Sequence, residues 1–195
     1  MSRLAKKPII IPEKTKFEIK DHYFIVTGPL GILKEKYVDN IEVKTEDGKV
    51  FVNRSSDKRL DRMSQGLVWS LIRNAIAGVT KGFNKSLEIR GIGYNGQVIG
   101  QELVLRIGFS HLVKFKIPEG IKITVDSKGI IISVSGFDKQ LVGETSAKIR
   151  RIKPPEPYKG TGIRYVGEYV AKKAGKTAVG VGAGAGAGGG GGAKK

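Results

Sequence analysis

Apolar and polar positions alternate, or run β-branched, on both sides of an Asp-Gly dipeptide in Val43-Lys44-Thr45-Glu46-Asp47-Gly48-Lys49-Val50-Phe51-Val52. Asp-Gly accepts positive φ in a tight turn, so the pattern predicts a β-hairpin. Ile121-Lys122-Ile123-Thr124-Val125, a turn from Asp126 to Gly129, and Ile130-Ile131-Ile132 predict another. Behind the first hairpin the apolar period lengthens to three and four. Leu60, Met63, Leu67 and Leu71, with Val68, Ile72, Ala75, Ile76 and Val79, predict a long amphipathic helix, capped by Ser56 or Asp57 and ended by Gly78 or Gly82. A counterpart is predicted from Asp138 to about Ile152. Its stripe is Leu141, Val142, Thr145, Ile149 and Ile152, with Lys148, Arg150, Arg151 and Lys153 beside it, and Pro154-Pro155 stops it.

Strands followed by one helix occur twice because the sequence repeats itself at an offset of 80. Gly28 matches Gly108, Lys34 Lys114, Lys36 Lys116, Ile41 Ile121 and Val43 Ile123. Past the next turn the offset is 81, matching Asp57-Lys58 with Asp138-Lys139 and Leu60 with Leu141, so the second copy has gained one residue. The fold class predicted is α+β: two tandem duplicated domains, each a small, mostly antiparallel sheet with one packed helix. They cover residues 1–82, including a basic N-terminus, and 83–153. At about 70 to 75 residues each has a marginal core, which predicts that the two lean on each other or on a partner. Residues 154–177 follow as a basic arm. Residues 178–195 are a Gly/Ala tail in which nine of the thirteen positions 180–192 are Gly, a composition predicted to be disordered because it buries almost nothing against its ordering entropy.

Charge turns this outline toward function. The 195 residues include 35 Lys and Arg against 18 Asp and Glu, a net charge of +17, so a polyanionic partner is expected, nucleic acid before an anionic membrane. With no Cys, disulfides, thiolate catalysis, iron–sulfur clusters and thiolate zinc sites are excluded, and His22 and His111 alone do not make a histidine-rich metal site. No cofactor is expected. The N-terminus has neither the apolar core of a secretion signal nor a transit peptide's long Arg/Ser-rich stretch, and no run reaches 18 apolar residues. A cytoplasmic location is expected.

Motifs for catalysis fail on context. Gly91-Ile92-Gly93-Tyr94-Asn95-Gly96 matches the dinucleotide fingerprint GxGxxG, but that loop must open a helix, whereas Gln97 to Leu105 reads as strand, turn and strand. It is therefore read as a glycine-rich turn or bulge. Gly175-Lys176-Thr177 imitates the end of a P-loop, yet the leading glycine's position holds Val170. No acid/base pair or nucleophile elbow appears, His22 and His111 are assigned surface or packing roles, and Trp69 is assigned to the core or a domain interface. No enzyme and no small-molecule substrate are expected.

Positive charge is least mixed at the end, where residues 151–195 carry nine basic and two acidic residues. Pro154, Pro155 and Pro157 stiffen this stretch and lower the entropy lost on docking, while its glycines admit close backbone approach to phosphate. Arg150, Arg151, Lys153, Lys159, Arg164, Lys172, Lys173 and Lys176 are the candidate phosphate ligands. Tyr158 and Tyr165 have two readings, stacking on exposed bases or packing of the arm against the second domain. Arg3, Lys6 and Lys7, before Pro8, form a second candidate contact.

Pro155-Glu156-Pro157-Tyr158-Lys159-Gly160-Thr161-Gly162-Ile163-Arg164-Tyr165, then Gly167-Glu168 and Lys172-Lys173-Ala174-Gly175-Lys176, resembles the C-terminal signature of the family of the sixth protein of the large ribosomal subunit, bacterial type. Ser2-Arg3, Pro8-Ile9, Ile11-Pro12, Gly28-Pro29-Leu30-Gly31 and Gly91-Ile92-Gly93-Tyr94 extend the resemblance, in the family's order, to nearly everything before the tail. It implies two duplicated α+β domains and binding to large-subunit rRNA, mainly through the second domain and the arm. That contact would lie near the sarcin–ricin loop and the docking place of translation GTPases, among neighbouring large-subunit proteins. No membrane and no catalytic activity are implied. Thr161 stands where the family usually has Lys, and Ala5 where it commonly has Gly. A free-standing RNA chaperone or regulatory RNA binder would share the charge without the fixed site.

Overall fold

The computed structural model describes residues 7–46, 48–173 and 175. In the first repeat, β1 (Ile9–Ile10), β2 (Lys16–Lys20), β3 (Tyr23–Gly28), β4 (Gly31–Lys36), β5 (Ile41–Glu46) and β6 (Lys49–Arg54) precede α1 (Arg59–Lys81). In the second, β7 (Phe83–Arg90), β8 (Asn95–Ile99), β9 (Glu102–Arg106), β10 (Val113–Lys116), β11 (Ile121–Val125) and β12 (Ile131–Gly136) precede α2 (Lys139–Ile152), and β13 (Gly162–Tyr165) follows it. The sheets run β2-β3-β4 and β1-β6-β5 in one repeat, β8-β9-β10 and β11-β12-β7-β13 in the other. Every pairing is antiparallel.

Strand register refines the internal repeat. Ile41 pairs with Arg54 and Ile121 with Gly136, so across the hairpin the offset grows from 80 to 82. It falls to 81 at Asp57 and Asp138 because the stretch from the end of β12 to Asp138 is one residue shorter than that from the end of β6 to Asp57. Insertion and deletion are absorbed in turns, which leaves the inward alternation intact: Val50 and Val52 are buried in one copy, Ile132 and Val134 in the other. β7 pairs with β12 as β1 pairs with β6. β13, on the far edge of β7, has no counterpart in the first repeat.

Each repeat closes its own core. Phe24, Val26, Val50, Val68, Ile72 and Val79 are fully buried in the first; Leu87, Leu103, Leu105, Ile132, Ile149 and Ile163 in the second. Ile163 lies ten residues past the expected end of the second repeat at 153, so part of the stretch expected to be an arm is a strand of the second sheet. Gly-Ile-Arg-Tyr is too short and too charged to announce a strand by itself; the open edge of β7 makes it one.

Helix ends depart from expectation at one of four places. Asp138 caps α2, accepting the Gln140 amide at 2.8 Å. Gly82 ends α1 at φ 72°, its N–H donating to Gly78 at 3.0 Å. Neither Ser56 nor Asp57 caps α1: Lys58 takes the cap position without a side-chain bond, because Asp57 accepts the Arg54 guanidinium and Ser56 bonds Asp61. Of the apolar positions assigned to α1, Val68, Ile72, Ala75, Ile76 and Val79 are buried, while Leu60, Met63 and Leu67 are exposed.

The repeats meet at Phe137. A Cβ on Gly78 would lie 1.9 Å from the Phe137 carbonyl oxygen, so α1 approaches the second repeat at a point where only glycine fits. Lys139 Nζ donates to Asn74 Oδ1 across the same junction at 3.2 Å. Among the described residues no helix is long and apolar enough to cross a membrane, and no cluster of His, Asp and Glu is arranged to hold a metal.

Candidate nucleic-acid interface

Residues after α2 are fastened to the second repeat at successive points. Ile163 N–H donates to the Lys153 carbonyl at 2.8 Å, Val166 N–H to Ser86 at 3.0 Å, and Lys173 N–H to Pro157 at 2.9 Å. Gly162, at φ 133°, passes so close to the Pro154 carbonyl that a Cβ would lie 2.5 Å from its oxygen. Between these points the chain folds into a short loop. Glu156 N–H bonds the Thr161 carbonyl at 2.8 Å, and Thr161 Oγ1 donates to Glu156 Oε2 at 2.9 Å, so the residue that departs from the family's usual Lys secures the loop internally. Lys159 and Tyr158, which is 53% exposed, sit on this loop.

The expected phosphate ligands divide into two groups. Arg164 donates through Nε and Nη2 to Glu88 Oε2 at 3.1 and 3.0 Å with its side chain only 16% exposed, and Arg90 Nε takes the other Glu88 oxygen at 2.9 Å. Burial pushes the Glu88 carboxyl up, but the hydrogen bonds from the two guanidinium groups outweigh it and hold it below its ordinary range. Arg150 donates through Nε to Glu168 Oε2 at 3.0 Å, and the same oxygen accepts the Tyr165 amide at 2.9 Å. That bond to Arg150 keeps Glu168 below the usual carboxylate range, against a smaller opposing effect of burial. Arg150 and Arg164 therefore hold the segment in place. Arg151, Lys159, Lys172 and Lys173 are exposed, and Lys153 is half-buried.

Tyr165 packs. Lys85 Nζ lies 5.3 Å from the centroid of its ring and the Arg150 guanidinium 5.8 Å. Lys7 is exposed, and its carbonyl accepts Trp69 Nε1 at 2.8 Å, so it is tied to the first repeat while the basic segment is tied to the second. Trp69 itself is buried in the first core. Arg3, Lys6 and Lys176, like the tail, lie outside the described residues.

Residues that sequence patterning passed over surround Lys153. Its ammonium stands 4.6 Å from the centroid of the Phe109 ring and 6.0 Å from that of Tyr94, and Phe109 lies nearly parallel to His111 with centroids 6.0 Å apart. Tyr94 occupies the space left by the glycines of both turns: a Cβ on Gly91 would be 2.4 Å, and on Gly108 2.5 Å, from atoms of its side chain. The GxGxxG resemblance thus has a steric cause, and the stretch is a turn followed by the β8–β9 hairpin, as its context predicts. His22, assigned a surface or packing role, is exposed and has Asp39 Oδ1 3.5 Å from its Nδ1.

Comparison with known proteins places this geometry. A family model described as ribosomal protein L6 matches residues 11–82 and 90–166, close to the two repeats. The chain is 48% identical over 185 residues to large ribosomal subunit protein uL6 of Thermotoga maritima, covering 91% of this chain and 100% of that one. It is 46% identical over 180 residues to the protein of the same name from Nostoc punctiforme, covering 92% and 98%. Against that of Pelobacter propionicus it is 47% identical over 177 residues, covering 91% and 98%.

Proposed function

The chain belongs to the ribosomal protein L6 family, and from that premise we propose that it is a structural constituent of the large ribosomal subunit that binds large-subunit rRNA through its second repeat and the segment after α2. The contact is placed beside the sarcin–ricin loop, where translation GTPases dock, with neighbouring large-subunit proteins around it. The family is structural and non-enzymatic.

One observation carries the RNA reading. In the second repeat's basic segment two carboxylates are neutralised within the protein, Glu88 by Arg90 and Arg164 and Glu168 by Arg150 and the Tyr165 amide, while the exposed Glu156 accepts the Thr161 hydroxyl. The exposed charges left there are positive on Arg151, Lys159, Lys172 and Lys173, with Lys153 beside them, against the single carboxylate of Glu156. A majority of cations on a fastened backbone displaces condensed counterions without first ordering the chain. The exposed Tyr158 ring adds a face for an unpaired base, and Lys153 with Phe109 adds a cation beside a second.

A salt titration of binding to large-subunit rRNA tests the proposal. Lys159→Ala is expected to weaken binding and to make the slope of log K against log salt shallower by roughly 0.7 to 0.9, the loss of one phosphate contact. Arg164→Ala is expected to lower the melting temperature, with little change of slope in protein that remains folded. Unaltered affinity for Lys159→Ala would reject that residue's role. Retention at unit stoichiometry on large subunits through a high-salt wash separates this function from that of a free-standing RNA chaperone.

A further inference from the structure

On α1 three large aliphatic side chains face solvent in a row: Leu60, Met63 and Leu67 are 73%, 61% and 55% exposed. Their spacing of three and four places them on one stripe, turned away from the buried Val68, Ile72, Ala75, Ile76 and Val79. Beside this stripe the helix carries Arg59, Arg62, whose Nε lies 3.9 Å from Asp57 Oδ1, and Arg73, whose guanidinium lies 5.4 Å from the centroid of the Trp69 ring. Asp61, the acidic residue of the first turn, is buried and bonded to Asn40 and Ser56, so no acidic side chain of the helix shares the outer face.

Gly66 marks the same face. It sits inside a 23-residue helix, where glycine is less favourable than alanine, and a Cβ there would meet nothing within 4 Å. Gly78, the other glycine within α1, has a reason inside the molecule in its contact with Phe137, whereas nothing among the described residues requires Gly66. A mid-helix glycine beside an exposed aliphatic ridge leaves a shallow spot into which a second helix settles at close backbone distance.

We propose that the outer face of α1 docks an acidic amphipathic helix of a neighbouring protein, with Leu60, Met63 and Leu67 as the apolar seam and Arg59 and Arg73 facing its carboxylates. Charge complementarity restricts the partner to an acidic one, and the three exposed aliphatic side chains select protein over RNA, since leucine and methionine give an unpaired base no plane to stack on and an apolar helix face gives them an area to bury. The inference goes beyond the RNA contact, which lies on the other repeat.

Photo-cross-linking in assembled large subunits tests it. Full-length protein with Met63→p-benzoylphenylalanine is incorporated, irradiated, and its adducts are mapped by mass spectrometry. The expected adduct is on a protein segment carrying Asp or Glu at helical spacing, with yield falling at least tenfold when Leu60→Asp and Leu67→Asp are added. Circular dichroism of the free variant is expected to stay unchanged, since both side chains are exposed. Adducts to RNA alone, to a segment without acidic residues, or to no macromolecule overturn the proposal, as does a yield that the two aspartates leave unchanged.

Discussion

Glu88 and Glu168 show how single residues in a cationic protein act against the sign of their charge. Each sits in the region read as an RNA surface, where a carboxylate would repel phosphate, and each is engaged by arginine instead. Their folded-state acidities lie below the ordinary carboxylate range, so the stabilisation they contribute is complete above the unfolded value of about 4.3 and is lost as pH falls through the lower folded values. Glu88→Gln with Glu168→Gln is accordingly expected to lose roughly 1–2 kcal/mol at pH 7, a moderate figure because the side chains are partly solvated. Melting curves between pH 7 and 3 are expected to show the gap to the unaltered protein closing below about pH 4; a gap independent of pH would count against these two carboxylates as its source. Arg150 and Arg164 were legible in the sequence as cations. Their engagement was not, because Glu88 stands 76 residues from Arg164 and no local pattern joins them.

At the scale of elements, the turns decide where side chains go. Gly108 has φ 76° and would place a Cβ 2.5 Å from the Tyr94 hydroxyl, whereas Gly100 has φ 60° and open space around it. Alanine at Gly100 meets only backbone strain, of about 1–2 kcal/mol. At Gly108 it meets the ring as well, and a loss of about 1–3 kcal/mol more is expected in urea denaturation. Equal effects at both sites would mean that the ring moves aside without penalty. Helix α2 was readable from its Asp138 cap to its proline stop because both signals are local. The start of α1 was misread because Arg54 and Asp61 compete for the side chains that would have capped it. β13 was not readable either, since its pairing is supplied by β7.

For the whole molecule, the contact of Gly78 with Phe137 couples the two repeats. Alanine at this position raises helix propensity, yet its methyl would press on the Phe137 carbonyl. Gly78→Ala is therefore expected to destabilise by about 1–3 kcal/mol and to divide a single calorimetric transition into two; one unshifted transition would show that the junction does not bind the repeats together. The duplication, the α+β class, both helices, the hairpins and the cationic end were determined by the sequence alone, since periodicity, turn residues and charge count act over a few neighbouring positions or recur at a constant offset. Which cations stay exposed, which three leucine and methionine side chains of α1 face solvent, and that part of the arm is a strand were decided only in the tertiary structure. Those outcomes depend on which distant groups compete for the same carboxylate, the same core volume or the same strand edge, and that competition takes place only once the chain has folded.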